Sequence, residues 1–512
     1  ILRRVRVDHA CALPIRHVHL LTGGGSSADL GGADMLLVSA PKPDDEPTLL
    51  KVLELTPGSC LLVRPDEVVA FRAPAPSSSS SATAAAAAAL AAALRQVARR
   101  GADGSILPAL PNPRRRGGDW PGPKLRSRRR TIDIAQVTPP ARFAHAVLRT
   151  RNMEESIRFY ERVLGAHVVQ RSEHLAFLTY DEEHHRIALV ATAQPEPAPP
   201  GAAGLDHLAY TFKDLHELLQ AYARLRREGI LPVWTINHGP TTSLYYQDPD
   251  GNRVELQVDN FATEEEGKAW MASEAFEQNP IGVEFDSERL LERYVRGEPV
   301  ELLLRQGATE AGGADSGPPP ALQNRSIDAT RMIAPSHFAH AVLRTRNLAG
   351  AIRFYERVLG AHVVQQSKYL AFLTYDEEHH RIALAYTPQK APAPPNAAGL
   401  DHLAYTVLDL PALLQTYARL RQEGILPVWT INHGPTTSLY YQDPDGNKVE
   451  LQVDNFATEA ELKACMQSES FARNPIGIEF DADKLLERYL RGDTIELLLQ
   501  QGATEAPPRS KL

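Results

Sequence analysis

Two sets of three residues stand out for their chemistry: His145, His207 and Glu255, and again His340, His402 and Glu450. Two imidazoles and one carboxylate hold a divalent cation while leaving coordination positions open, the ligand set that non-haem Fe(II) centres use. The second set follows the first at a constant offset of 195 residues. Each histidine lies in a short apolar run. Phe143-Ala-His-Ala-Val-Leu-Arg-Thr resembles Leu205-Asp-His-Leu-Ala-Tyr-Thr-Phe. Aligning Arg186-Ile-Ala-Leu with Arg253-Val-Glu-Leu sets Ala188 against Glu255. Pairing the two halves of one copy face to face is expected to bring His145, His207 and Glu255 to one point. The second copy then gathers His340, His402 and Glu450, with Ala188 and Ala383 opposite the glutamates.

The elements that must position these side chains are legible in the periodicity. Gly229 to Asn252 reads the same as Gly424 to Asn447, and EEHHRIAL occurs at Glu182 and again at Glu377. A repeat this long is a duplicated domain, since solenoid units recur about every 20–50 residues. Within a copy, each His-bearing strand is followed by an amphipathic helix. Ile157, Tyr160 and Leu164 recur at helical spacing over 153–164, with Gly165 as the stop. Leu218, Leu219, Tyr222 and Leu225 do so over 215–228. Strands are expected at 175–180, 186–191, 243–247 and 253–258, with Asp248-Pro-Asp-Gly-Asn as the turn joining the last two. The fold class is therefore α+β: paired βαβββ half-modules forming a cup-shaped mixed sheet, in two tandem domains.

The expected domains are 141–307 and 336–503. Residues 1–73 carry no motif. Residues 74–140 form a low-complexity basic linker, with an alanine tract and the clusters Arg114 to Arg116 and Lys124 to Arg130. Such composition buries too little apolar surface to offset ordering entropy, so the N-terminal region is expected to be largely disordered. Residues 308–335 read as an exposed Gly/Pro/Ala-rich linker, and 504–512 as a tail.

The net charge of −8 combines about +7 in residues 1–140 with about −15 in the remainder. The basic run lacks interleaved aromatics, so no nucleic-acid partner is expected. No run of apolar residues is long enough for a membrane span. Three scattered cysteines exclude a disulfide framework and point to a reducing compartment. The terminal Ser510-Lys511-Leu512 reads as a peroxisomal address taken up by an import receptor; without it the expectation is the cytoplasm.

The motifs F-A-H-A-V-L-R-T, H-H-R-I-A-L, G-L-D-H-L-A-Y-T and S-L-Y-Y-Q-D-P-D-G-N-R-V-E-L-Q-V-D resemble those of the vicinal oxygen chelate superfamily. Within it, they resemble the type I extradiol ring-cleaving dioxygenases related to biphenyl-2,3-diol dioxygenases. That resemblance implies Fe(II), with Mn(II) as the alternative, and an aromatic diol and O2 as substrates. It implies that His185 is the acid/base acting on the diol and that Tyr245 hydrogen-bonds the bound hydroxyl. His238 is implied as a further substrate histidine, and the counterparts are His380, Tyr440 and His433. Because neighbouring strand residues face opposite ways, one of His184 and His185 is expected at the metal, and the motif favours His185. Tyr246 is expected in the packing.

Two other readings differ in chemistry. A glyoxalase-like isomerase or lyase of the same superfamily uses a fourth protein ligand, where this chain has Ala188 and Ala383. A non-catalytic binding member lacks the triad altogether. The segment after each glutamate, such as Phe276 to Asp286 and the helix beginning near Ser287, is expected to pack over the sheet or the other copy without chemistry of its own. The two linked copies are expected to form an intramolecular pseudo-dimer.

Overall fold

The computed structural model describes residues 129–194, 198–309, 324–389, 393–394 and 396–505, together with three short strands nearer the N-terminus. Those strands are β1 (Leu36–Ser39), β2 (Cys60–Val63) and β3 (Val69–Ala73), an antiparallel sheet in the order β1-β2-β3. They belong to a separate compact unit. The rest of the expected disordered region before residue 129, residues 310–323 of the inter-repeat linker and the terminal Ser-Lys-Leu lie outside the described residues. Among the described residues no helix is long and apolar enough to cross a membrane.

The first repeat opens with β4 (Arg142–Thr150), α1 (Met153–Leu164), β5 (His167–Arg171), β6 (Leu175–Thr179) and β7 (Ile187–Ala191). Its second half is β8 (Gly204–Thr211), α2 (Leu215–Arg227), β9 (Trp234–Asn237), β10 (Thr241–Gln247) and β11 (Arg253–Asp259). A tail follows: α3 (Glu264–Met271), α4 (Glu274–Gln278), β12 (Val283–Glu284), α5 (Ser287–Val295) and α6 (Val300–Leu303).

The second repeat copies this order. It runs β13 (His337–Thr345), α7 (Leu348–Leu359), β14 (His362–Gln366), β15 (Leu370–Thr374), β16 (Ile382–Tyr386), then β17 (Gly399–Thr406), α8 (Leu410–Gln422), β18 (Trp429–Asn432), β19 (Thr436–Gln442) and β20 (Lys448–Asp454). Its tail is α9 (Glu459–Met466), α10 (Glu469–Arg473), β21 (Ile478–Glu479), α11 (Ala482–Arg491) and α12 (Ile495–Leu498).

Local chemistry accounts for these elements. In α1, Asn152 caps the N-terminus by accepting from the Glu155 amide, and Gly165 ends the helix at φ +64°. Ile157, Tyr160, Val163 and Leu164 are buried against the sheet. The turn between β10 and β11 is held by Asp248, which accepts from the backbone amides of Asp250 and Asn252 at 3.0 and 2.8 Å. Along β11 the alternation is strict in its consequence. Val254, Leu256 and Val258 join the apolar core, while Glu255 and Gln257 point to the other face.

The βαβββ halves form two nine-stranded mixed sheets, and each sheet crosses the repeat boundary. One runs β12-β9-β10-β11-β8-β13-β16-β15-β14; the other runs β21-β18-β19-β20-β17-β4-β7-β6-β5. The joins are antiparallel pairs, β8 with β13 and β17 with β4. Each cup is thus the second half of one repeat sealed to the first half of the other. At the centre the equivalent rings of Phe143 and Phe338 stack at 3.6 Å. The halves of a single repeat touch instead on the helical side: the Tyr160 hydroxyl donates to Asp248 at 3.0 Å, and the Arg224 guanidinium bonds the Arg162 carbonyl. The expected face-to-face closure within one repeat is therefore replaced by exchange between repeats.

The described end of the inter-repeat segment, from residue 324, is held against the fold. Arg325 lies 4.6 Å over the Tyr294 ring and bonds the carbonyls of Tyr294 and Glu298, while Ile327 and Ile333 pack on the core. Arg130 does the same with Tyr489, 4.7 Å from its ring.

Candidate metal centre and its surroundings

The exchange of halves decides which ligands meet. His207 on β8 and Glu255 on β11 come together with His340 on β13, and His145 on β4 meets His402 on β17 and Glu450 on β20. The expected groupings His145/His207/Glu255 and His340/His402/Glu450 are corrected accordingly: the same six residues gather, but each candidate site takes one histidine from the other repeat. The reason is strand register. Ala209 pairs with Glu255 on one side and His340 on the other, while His207 sits one pleat away on the same face, opposite Val342. Ala404 stands in the same way between Glu450 and His145. A methyl group at this point leaves the space above the strand to the flanking side chains.

The distances converge on one carboxylate oxygen. Glu255 Oε2 lies 3.0 Å from His207 Nε2 and 3.3 Å from His340 Nε2. Glu450 Oε2 lies 3.0 Å from His402 Nε2 and 3.4 Å from His145 Nε2. Both glutamates are 1% exposed, and neither oxygen of either has a hydrogen bond in good geometry. A buried anion ringed by imidazole nitrogens and lacking well-formed donors fits a divalent cation. Burial opposes the charge of Glu255, yet the close approach of the His207 and His340 imidazoles outweighs it and holds the carboxyl well below its usual range. Burial pushes His340 down to about 4 against the pull of Glu255, which keeps its lone pair free. His145 is lowered to about 4 in the same way beside Glu450.

The outer nitrogens are oriented from behind. His207 Nδ1 is 2.9 Å from Asp206 Oδ1, and His402 Nδ1 is 2.9 Å from Asp401 Oδ1. Asp206 is in turn bonded by Arg253 at 3.0 Å and by Arg344 of the other repeat at 2.5 Å. A carboxylate behind a ligating imidazole fixes its ring and tautomer. The Asp-His dipeptide carried this signal in the sequence.

His380 packs its ring 4.0 Å from that of His340, and His185 lies 4.0 Å from His145. Burial, then the neighbouring imidazoles, push both well below the ordinary histidine value. The strand-alternation premise fails here, because His184 and His185 precede β7 in a bend and both are buried. His184 stands farther off, 6.4 Å from the His145 ring, and is paired with Glu183 at 2.8 Å. Tyr245 pairs directly with Glu255 across β10 and β11. Its hydroxyl is 3.0 Å from His238 Nε2, whose Nδ1 is 2.5 Å from the Ile281 carbonyl. Tyr440 and His433 repeat this, at 3.0 Å, with Nδ1 2.6 Å from the Ile476 carbonyl. Tyr246 is fully buried in the core.

Beside each site lies a second polar group. Around His379 stand Glu264, Glu378 and Asp259, with His337 at 3.6 Å from Glu378. At the other site Arg142 replaces His337 and bonds both Glu183 and Asp454 at 2.9 Å.

The tail has a role at the site that its sequence did not announce. Met271 of α3 and Phe276 of α4 line the cavity over the His207 site together with Ile281, Trp234 and Phe372. These residues have no motif spacing, and only folding brings them there.

The model of the Glyoxalase/Bleomycin resistance protein/Dioxygenase superfamily matches residues 142–256 and again 337–451. Biphenyl-2,3-diol 1,2-dioxygenase 2 of Rhodococcus globerulus is 49% identical over 168 residues, which is 33% of this chain and 88% of that protein. The chain belongs to this superfamily. Biphenyl-2,3-diol 1,2-dioxygenase 3 of the same organism is 48% identical over 176 residues, covering 34% of this chain and 91% of its own length. Catechol-2,3-dioxygenase of Bacillus subtilis (strain 168) is 30% identical over 275 residues, 52% of this chain and 81% of that protein. The superfamily module is thus present twice, in tandem, and its relatives among dioxygenases imply a divalent metal for which the two histidine–glutamate groups are the candidates.

Proposed function

We propose that the protein is an Fe(II)-dependent extradiol dioxygenase, with a catechol-type, biphenyl-2,3-diol-like substrate and O2. The observation that carries this reading is the cross-repeat trio His207, Glu255 and His340 on one wall of an apolar cavity, with His380 and Tyr245 beside it. Ala383 lines the same cavity at the place where a fourth ligand would stand, which favours an open metal over the glyoxalase-like isomerase. When bound, the metal supplies Lewis acidity and a template on which the diol and O2 lie side by side.

The chain's own residues supply the rest. Trp234, Phe276 and Phe372 give the aromatic ring an apolar slot and exclude water. His380, neutral and buried, takes the proton of a diol hydroxyl and returns it as the ring opens. Burial and Glu255 hold the Tyr245 phenol protonated; His238, whose Nδ1–H donates to the Ile281 carbonyl, accepts that proton at Nε2, which leaves the Oη lone pairs to accept from the substrate hydroxyl. His185, Tyr440 and His433 take these roles at the His145, His402 and Glu450 site. The similarity to the two Rhodococcus dioxygenases supports the choice of diol. Anaerobic loading with Fe(II), and in parallel with Mn(II), followed by O2 uptake on catechol and 2,3-dihydroxybiphenyl, tests the proposal. Uptake matched by ring-opened product is expected; no uptake with either metal and either diol refutes it.

A further inference from the structure

The two sites are built from the same parts yet enclose different spaces. The cavity at His207, Glu255 and His340 has a volume of about 280 Å³, and that at His145, His402 and Glu450 about 80 Å³. Every side chain lining the larger cavity has the same residue type 195 positions away at the other site, with two exceptions. Arg253 corresponds to Lys448, and both are tied to the aspartate behind the ligating histidine, at 3.0 and 2.9 Å. Ala385 corresponds to Val190. On β16, Ala383 lies level with the triad, and Ala385 is one pleat farther out on the same face, paired with Leu370. On β7 the half-buried Val190 pairs with Leu175 in the same register. Val190 thus carries two added methyl groups at the position where Ala385 lines the larger cavity, and the smaller cavity does not extend to it. A second layer points the same way: Gly267 of α3, next to His379, has as its counterpart the buried Leu462 of α9.

We infer that the two sites divide diols by size, with position 385/190 as the discriminating residue. The His207 site takes diols that carry a bulky ring substituent, and the His145 site is confined to single-ring diols. This rests on the dioxygenase reading above. The asymmetry explains how a chain can retain two copies of one centre with different substrate ranges.

The test uses the Fe(II)-loaded full chain and anaerobic calorimetry, which reads binding without turnover. Catechol is expected to saturate two sites per chain and 2,3-dihydroxybiphenyl one. In the single-site variants, Glu450→Gln keeps binding and turnover of the two-ring diol, whereas Glu255→Gln loses both while retaining catechol. Adding Val190→Ala to Glu255→Gln is expected to restore binding and turnover of the two-ring diol, and Ala385→Val in Glu450→Gln to lower its kcat/KM about tenfold or more. Equal stoichiometry for both diols, or unchanged preference after both reciprocal substitutions, overturns the size division while leaving the dioxygenase reading intact. If neither diol binds at either site, that reading falls, and this inference with it.

Discussion

His145 Nε2 lies 3.4 Å from Glu450 Oε2, although the two residues belong to opposite repeats. Each candidate metal centre is therefore assembled from both repeats and not from either one alone. The pairing of β4 with β17 and of β8 with β13 is at once the join between repeats and the floor of both sites. Separating the repeats and dismantling the centres are the same operation.

The exchange makes double substitutions diagnostic. His145→Ala with Glu450→Ala is expected to leave one metal per chain, because both residues serve one site. His145→Ala with Glu255→Ala is expected to leave none, since each removes a ligand from a different site. Metal content by mass spectrometry distinguishes this from pairing within a repeat, which gives the opposite pattern.

An isolated first repeat, residues 129–309, carries His145 on one sheet edge and His207 with Glu255 on another. It is expected to bind metal only as a dimer, in which the partner copy supplies the exchanged half. Sedimentation across a concentration series, with metal content of each species, checks this. A monomer holding one tightly bound metal would show that the halves can close on each other.

Asp206 orients His207 and also receives Arg253 and Arg344. Asp206→Asn is expected to weaken metal binding at that site by about 10- to 100-fold. The Asp401→Asn chain gives the matching loss at the other site, and competition with a chelator measures both.

Removing the proposed acid/base from both sites, as His185→Gln with His380→Gln, is expected to lower kcat by about 10²- to 10⁴-fold. Metal content should be unchanged, because neither residue belongs to the two histidine–glutamate trios. Loss of metal together with activity would place these histidines among the ligands.

Burial opposes the charge of His379, but hydrogen bonds to Glu264 and Glu378 outweigh it and raise its pKa to about 9, with Asp259 adding to the pull. His337 faces the same group. A histidine with a raised folded-state value contributes stability that is fully present below about pH 6.5 and lost as pH rises through 9, at most about 3 kcal/mol. Denaturant midpoints of the metal-free protein at pH 7 and pH 10 should therefore differ more in the native chain than in His379→Asn. Equal slopes would mean that His379 does not hold its proton in this range.

The sequence by itself determined the elements and the ligand types. Hydrophobic spacing fixed α1 and α2 within a residue, because burial of one helix face is a local pattern. The offset of 195 residues established the duplication, and the D-P-D-G-N turn located the β10–β11 hairpin. What no local pattern encodes is which sheet edge seals against which. The first-half strands β4 and β13 are near copies, so β8 has two chemically equivalent partners, one in its own repeat and one in the other. The tertiary structure chose the distant one, with Phe143 stacked on Phe338 at the seam and the helices occupying the near side. That choice moved His145 and His340 to opposite sites and brought Met271, Phe276 and Ile281 over the cavity. Side-chain chemistry is written along the chain; the company each side chain keeps is set by long-range strand pairing, which duplicated sequences leave degenerate.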